Sequence, residues 1–463
     1  MRFHWIKILL IASGLFVIHS LDGQNLNQKI PNKTRILFLL DGSGSMLAQW
    51  GNDLRIHEAK RILSELVDSL KVNTQLELAL RVYGHQYDRR LRNCEDTRLE
   101  YPFRANNHAN IIKRLEEIKP KGTTPIAYSL EQAASDFPGS NSHRNIIIII
   151  TDGIESCQGD PCEVSLALQR KGIFLRPFII GLGMPEKYKQ QFDCVGQYFD
   201  ANDTEAFRNV LHRALKQSLD KTTVSVELLD EKDQPTETDV NVTFYNNFTD
   251  IPEYEFVHYR DQEGKPDSVV VDAVLSYDIV VNTIPPVIEK NITLIGGEHN
   301  SIPIKTPQGY LQVHQPNHTE YKDLVKVLVS KNLKSNTLNV QNINTKDKYL
   351  VGEYYLEILT LPRIYKKVQV VQSENTIINI PAPGLLNITS NTSGIGSIYS
   401  LNNSIREIWT LNLDKNKSKM NLAIQPGNYK LVFRAKNAQG SKFTQVQEFK
   451  INSNTTTNIN LVR

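Results

Sequence analysis

Hydrophobic positions divide this chain into two textures. Between residues 33 and 219, short continuous apolar runs alternate with runs of helical spacing. Ile36–Leu40 is apolar throughout and reads as a buried strand. Ile56, Ala59, Leu63, Leu66 and Leu70 then recur at helical spacing, with Asp53 placed to cap the helix. Leu76–Val82 has the length of a strand, and residues 84–106 read as a loop. Ile111–Ile118, ended by Pro120, and Ile126–Ala134 read as helices. Ile146–Ile150 is a run of isoleucine alone, as in a central strand covered on both faces. Asp160-Pro161 opens a helix that Gly172 stops, Ile173–Ile180 reads as a strand, and Thr204–Leu219 as a last amphipathic helix. This alternation predicts an α/β domain over residues 33–219, a doubly wound and mostly parallel sheet with helices on both faces.

After Asp220 the helical period stops. Short alternating runs rich in Val, Thr, Tyr and Asn are separated by Asn, Gly, Pro and Asp, the pattern of an all-β region. Tyr277-x-Ile279-x-Val281, Tyr354-x-Leu356-x-Ile358 and Tyr429-x-Leu431-x-Phe433 repeat at offsets of 77 and 75 residues. Gly309-Tyr310-Leu311-Gln312-Val313 and Gly384-Leu385-Leu386-Asn387-Ile388 repeat at 75. Three tandem β-sandwich modules are expected, over 222–306, 309–382 and 384–463. The repeated tyrosines are expected in the cores or at strand corners.

The first residues read as an address rather than as fold. Arg2, His4 and Lys7 precede an apolar run from Ile8 to Ile18, too short for a helix to cross a hydrocarbon core of about 30 Å. Residues 1–23 are therefore expected to be a secretory signal peptide, and the mature chain to be secreted, periplasmic or on the cell surface, without a transmembrane span. Composition adds little: 40% hydrophobic and 22% charged residues suit a globular protein, and a net charge of +3 argues for neither nucleic acid nor a membrane surface. The four cysteines, Cys94, Cys157, Cys162 and Cys194, suit disulfides in an oxidising compartment. Of the three possible pairings, Cys157–Cys162 with Cys94–Cys194 is preferred, because the first two are neighbours on one loop.

Candidate chemistry sits at strand ends. Asp41-Gly42-Ser43-Gly44-Ser45 follows the first strand, Gly122-Thr123-Thr124-Pro125 precedes a helix, and Thr151-Asp152-Gly153 follows the isoleucine strand. In an open parallel sheet such ends line the ligand crevice. Together they offer two carboxylates and several neutral hydroxyls, a hard-oxygen set suited to Mg²⁺. There is no P-loop, no Gly-x-Ser-x-Gly elbow and no EF-hand, since Asn52 stands where that loop needs an acid. His57 and His85 have no evident orienting partner, so no catalytic residues are assigned.

In these residues the segment from about Thr34 to Leu219 resembles a von Willebrand factor type A (VWA) domain with a complete metal-ion-dependent adhesion site. The stretch Asp152-Gly153-Ile154-Glu155-Ser156-Cys157-Gln158-Gly159-Asp160-Pro161-Cys162 looks like a bacterial branch of that family. The resemblance implies direct ligation by Ser43 and Ser45, ligation by Thr124 directly or through water, and Asp41 and Asp152 in or next to the first shell. It also implies Mg²⁺ or Mn²⁺, and docking of a protein partner through an acidic residue. Thr124 rather than Thr123 is selected by the Thr-Pro pair. Arg81, Arg89, Arg90 and Arg92 lie on or beside the loop expected on the same rim, and Arg89 and Arg90 are candidates to steer an acidic partner. The β modules resemble transthyretin-like or carboxypeptidase-regulatory-like sandwiches in pattern. The expected function is metal-dependent protein binding, with a cell-envelope scaffold as the alternative and an enzyme disfavoured.

Overall fold

The computed structural model describes residues 31, 33–139, 143–170, 178–184, 192, 195–316, 325–332, 335–402, 405–414 and 419–461. The proposed signal peptide lies outside them. The N-terminal domain contains β1 (Lys33–Asp41), α1 (Arg55–Ser69), β2 (Leu76–Tyr83), β3 (Thr97–Arg104), α2 (His108–Glu117), α3 (Ile126–Asp136), β4 (His143–Thr151), α4 (Pro161–Arg170), β5 (Phe178–Leu182), β6 (Gln197–Ala201) and α5 (Thr204–Leu219). Among the described residues, six strands form one sheet in the order β3-β2-β1-β4-β5-β6. Every pairing is parallel except that of β3 with β2.

The central strands feed two cores by alternation. Ile36, Phe38 and Leu40 of β1, with Ile146, Ile148 and Ile150 of β4, pack against α1, α2 and α5. Leu37 and Leu39, with Ile147 and Ile149, pack against α3 and α4. An uninterrupted apolar strand therefore serves both faces, which is why the isoleucine run tolerates no polar residue. Each fully buried isoleucine contributes roughly 1.5–3 kcal/mol of burial.

Several expectations shift in detail. Pro161 does begin α4, and Asp203 caps α5 by accepting the Ala206 N–H at 2.7 Å. Asp53 is not the cap of α1; its carboxylate accepts from the Leu54 N–H and pairs with His57. The strand expected at Ile173–Ile180 is described only from Phe178, residues 171–177 lying outside the described set. Residues 84–106 are not all loop: β3 forms the antiparallel sheet edge, its Arg- and Glu-containing sequence matching a half-exposed position.

Beyond α5 come three cores, one per repeat. Each pairs a three-stranded with a four-stranded sheet. In each, the first strand lies parallel to the last: 222–229 with 299–305, 308–314 with 375–379, and 384–390 with 456–461. Tyr277, Tyr354 and Tyr429 are fully buried. Their hydroxyls donate to the carbonyls of Asp272 (2.7 Å), Leu350 (2.8 Å) and Gln425 (2.6 Å), four or five residues upstream. These are the corner tyrosines that the repeat predicts.

The same corners are where neighbouring units meet. The Leu350 N–H donates to Ile284 O at 2.9 Å and the Gln425 N–H to Leu361 O at 2.7 Å. The Ile284 and Leu361 side chains pack against the cores of the following modules. At the first corner the partner is the N-terminal domain: Arg144 of β4 clasps Asp272 through two guanidinium nitrogens, and Val274 enters the core under α1 and α5. Among the described residues no helix is long and apolar enough to cross a membrane.

Arg144 and Asp272 have side chains only 7% and 12% exposed, so breaking the pair strands a carboxylate. Arg144→Ala is expected to cost about 3 kcal/mol in urea unfolding, as for other broken buried pairs. A loss below about 1 kcal/mol would show that apolar packing alone holds this junction.

Candidate metal centre

Register places the site. Leu40 of β1 stands beside Val82 of β2 and Ile150 of β4, so the three chains leave the sheet together. β2 and β4 flank β1, and the chain leaves β1 toward β2 on one side but leaves β4 toward β5 on the other, which makes the gap between β1 and β4 the switch point of the sheet. Asp41 ends β1 fully buried. Its carboxylate accepts from the Ser43 N–H at 2.7 Å and from the Thr151 hydroxyl at 2.8 Å.

Ser43 begins a single 3-10 turn, Gly44–Leu47, yet its hydroxyl makes no capping bond. It lies 2.8 Å from the Ser45 hydroxyl, which donates to Asp152 at 2.7 Å. Asp152 accepts at its other oxygen from Arg55, at 2.7 Å, and its side chain is fully buried. Asp41, Ser43, Ser45 and Asp152 therefore converge, as the sequence spacing predicts.

The threonine loop joins them through backbone. Gly44 N–H donates to Gly122 O at 3.0 Å, Lys121 N–H to Gly42 O at 3.0 Å, and Gly122 N–H to Gly84 O at 2.7 Å. Gly84, at φ +67°, lies so close that a β-carbon would sit 2.3 Å from Thr123 O. Thr123 commits its hydroxyl to Asn93 O at 2.8 Å. Thr124, 7% exposed, lines the same cleft as Ser43 and Ser45, a space of about 630 Å³.

Electrostatics make this donor set suitable for a cation. Burial first, and then the charge of Asp152, push the Asp41 carboxyl up to about 6. Of the two buried carboxylates only Asp152 meets a guanidinium, that of Arg55, while Asp41 is held by the neutral donors Ser43 N–H and the Thr151 hydroxyl. A small divalent cation would supply the missing positive charge, so these residues fit Mg²⁺ or Mn²⁺. Among the described residues no group of three or more His, Cys, Asp or Glu is arranged to hold a metal, and this set, built on hydroxyls, is of another kind.

Sequence reasoning missed the supports. Arg55 opens α1, and nothing in its neighbourhood in the sequence pairs it with Asp152. Glu155 accepts from the N–H groups of Ala127 and Cys157, both at 2.7 Å, and burial raises its pKa. Ser156 accepts from the Thr124 N–H at 2.8 Å. His85 does have an orienting partner: its Nε2 lies 2.6 Å from Glu100, which also accepts from Arg114 at 2.7 Å. Burial opposes the Glu100 charge, but the bonds from His85 and Arg114 prevail and hold it down to about 2. His85 packs against Gly42, where an added β-carbon would lie 2.8 Å from its own.

The disulfide expectation needs correction. Cys157 pairs with Cys94, not with Cys162. Asp160 accepts from the N–H groups of Cys162 and Glu163 and sets Cys162 into the first turn of α4, while Cys157 stays in the preceding loop against the β2–β3 connection. Cys162 is itself disulfide-bonded. Cys194 lies outside the described residues. Of the candidate rim arginines, Arg89 lines the cleft together with Arg92, whereas Arg90 is exposed and does not. Arg81 is buried and paired with Asp136.

A family model for the von Willebrand factor type A domain matches residues 36–213. Uncharacterized protein YwmC of Bacillus subtilis (strain 168) is 31% identical over 176 residues, covering 36% of this chain and 76% of that protein. Uncharacterized protein YwmD of the same organism is 30% identical over 184 residues, covering 38% and 81%. The chain belongs to the VWA domain family. In fold this chain is also similar to the conserved hypothetical protein BatB from Bacteroides thetaiotaomicron, at 22% identity and TM-score 0.32 over 40% of this chain and 99% of that one. The pilus adhesin SpaC from Lactobacillus rhamnosus GG is similar over 94% of this chain and 88% of that one, at 9% identity and TM-score 0.35.

Peptide mapping of the VWA head without reduction is expected to recover Cys94 and Cys157 on one cross-linked fragment. A fragment joining Cys157 to Cys162 would restore the pairing preferred from sequence.

Proposed function

We propose that this chain is an exported protein-binding protein whose VWA head docks a partner's carboxylate on Mg²⁺ or Mn²⁺. Ser43, Ser45 and Thr124 are assigned as hydroxyl ligands, with Asp41 and Asp152 bound directly or through water. A cation held largely by neutral oxygens keeps its electrophilicity and takes an outside carboxylate as a further ligand. The observation that carries this reading is the convergence of two buried carboxylates and two serine hydroxyls at the sheet's switch point, with Asp41 pushed up to about 6. VWA domains mainly mediate protein interactions, which supports a binding role. The apolar run at Ile8–Ile18 supports export.

The scaffold alternative, in which the metal merely stiffens the loops, has less support. The three loops are already joined by the Cys94–Cys157 bond and by backbone hydrogen bonds. No hydrolytic role is proposed. His85, the histidine packed on Gly42, has its Nε2 engaged by Glu100.

Two measurements test this reading. Mn²⁺ titration followed by electron paramagnetic resonance should show binding that weakens at least about tenfold in Ser43→Ala, since even an indirect support of a metal commonly contributes that much. Capture of partners from envelope extracts should be lost with EDTA and in Asp41→Ala. Capture that survives both perturbations contradicts the metal bridge.

A further inference from the structure

The cleft over the serine and threonine hydroxyls has a second chemical feature. The charged side chains in its lining are Arg89 and Arg92, and no carboxylate lines it. Both arginines are exposed, and the Arg89 side chain runs along the serine loop, its Cδ 3.9 Å from where a Gly44 β-carbon would be. Three nearby acids are engaged elsewhere, and Glu95, exposed on the same segment, does not line the cleft. Asp96, fully buried, accepts the N–H groups of Gln86 and Tyr87 at 3.2 and 3.1 Å, and Asp88 accepts from the Arg90 N–H at 2.9 Å. Asp152 is held by Arg55.

The segment presenting the two arginines is fixed at several points. Arg89 N–H donates to Lys121 O at 3.1 Å, Thr123 holds Asn93 O, and Cys94 is bonded to Cys157 across the cleft wall. The backbone that carries the positive charges is thus a tied platform beside the hydroxyl cluster, so binding has to order the two side chains but not the loop. A ligand with one carboxylate, docked at the hydroxyl cluster, would leave both guanidiniums unanswered. Each guanidinium favours a planar oxyanion over any neutral group.

We infer that the cleft accommodates an acidic peptide segment carrying two carboxylates, one for the hydroxyl cluster and a second for Arg89 and Arg92. The first contact rests on the metal reading above; the second does not. This replaces Arg90 by Arg92 in the pair that the sequence suggested. It also gives the arginines a contact role within the cleft rather than long-range steering alone. A partner is then recognised by a pair of acids close together in its chain.

The test uses the full chain and immobilised synthetic peptides of otherwise neutral sequence. One set carries a single Asp, the other an Asp with a second acid at varied spacing, each in Mg²⁺ and in EDTA. Wild type is expected to prefer the best two-acid peptide by about tenfold, the scale of one well-placed charge pair. Arg89→Gln with Arg92→Gln should bring the two sets to within about twofold while the circular dichroism spectrum and thermal unfolding midpoint stay those of wild type, which shows that the head remains folded. If the double substitution removes the preference but EDTA changes nothing, the metal reading fails and the arginine contact stands. Equal binding of the two sets by wild type, a preference that survives the double substitution, or no peptide binding alongside binding of a soluble polyuronate would each overturn the inference.

Discussion

Two carboxylates brought together out of water are the constraint on which the head is arranged. Asp41 ends β1 and Asp152 follows β4, the neighbouring parallel strand, in a register that pairs Leu40 with Ile150. Burial and mutual repulsion are answered locally by the Ser43 N–H, the Thr151 and Ser45 hydroxyls and the Arg55 guanidinium. These answers are incomplete, because Asp41 is still pushed up to about 6. The backbone ties among the three loops, the close glycine contacts and the Cys94–Cys157 bond all hold together a cluster that its own charge would loosen.

The parts legible in the sequence are those whose cause is local. The isoleucine strand, the spacing of α1 and α5, and the Pro161 start of α4 each follow from residues within one turn or strand. Asp41, Ser43, Ser45 and Asp152 were legible because a parallel sheet places its strand ends on one rim, whereas Thr124, which precedes a helix, was picked out by the family resemblance. What escaped depends on distance in the chain. β3 has no apolar run because it is an edge, and with β3 unseen, Glu100 could not be matched to His85. Arg55 reaches Asp152 across 97 residues. The disulfide followed the fold rather than proximity, since Cys157 and Cys162 fall on opposite sides of a helix start.

The modules after the head show one joint used repeatedly. A corner tyrosine fixes the turn four or five residues before it, and that turn receives the preceding unit. Asp272 takes Arg144, Leu350 takes Ile284, and Gln425 takes Leu361. Because each joint combines hydrogen bonding or ion pairing with an inserted apolar side chain, the array is held more firmly than a string of flexible linkers. The cleft with Arg89 and Arg92 is at the strand ends following Asp41, whereas Arg144 joins the first module near the start of β4, at the opposite end of the sheet. The head therefore faces away from its support.

The central claim is that the converging oxygens hold a divalent cation. Anomalous diffraction at the manganese edge, from crystals of the full chain grown with Mn²⁺, tests it most directly. The account predicts a peak among the hydroxyls of Ser43, Ser45 and Thr124, near the carboxylates of Asp41 and Asp152. An ordered loop cluster with no peak there, at Mn²⁺ concentrations that saturate any binding seen in solution, would contradict it.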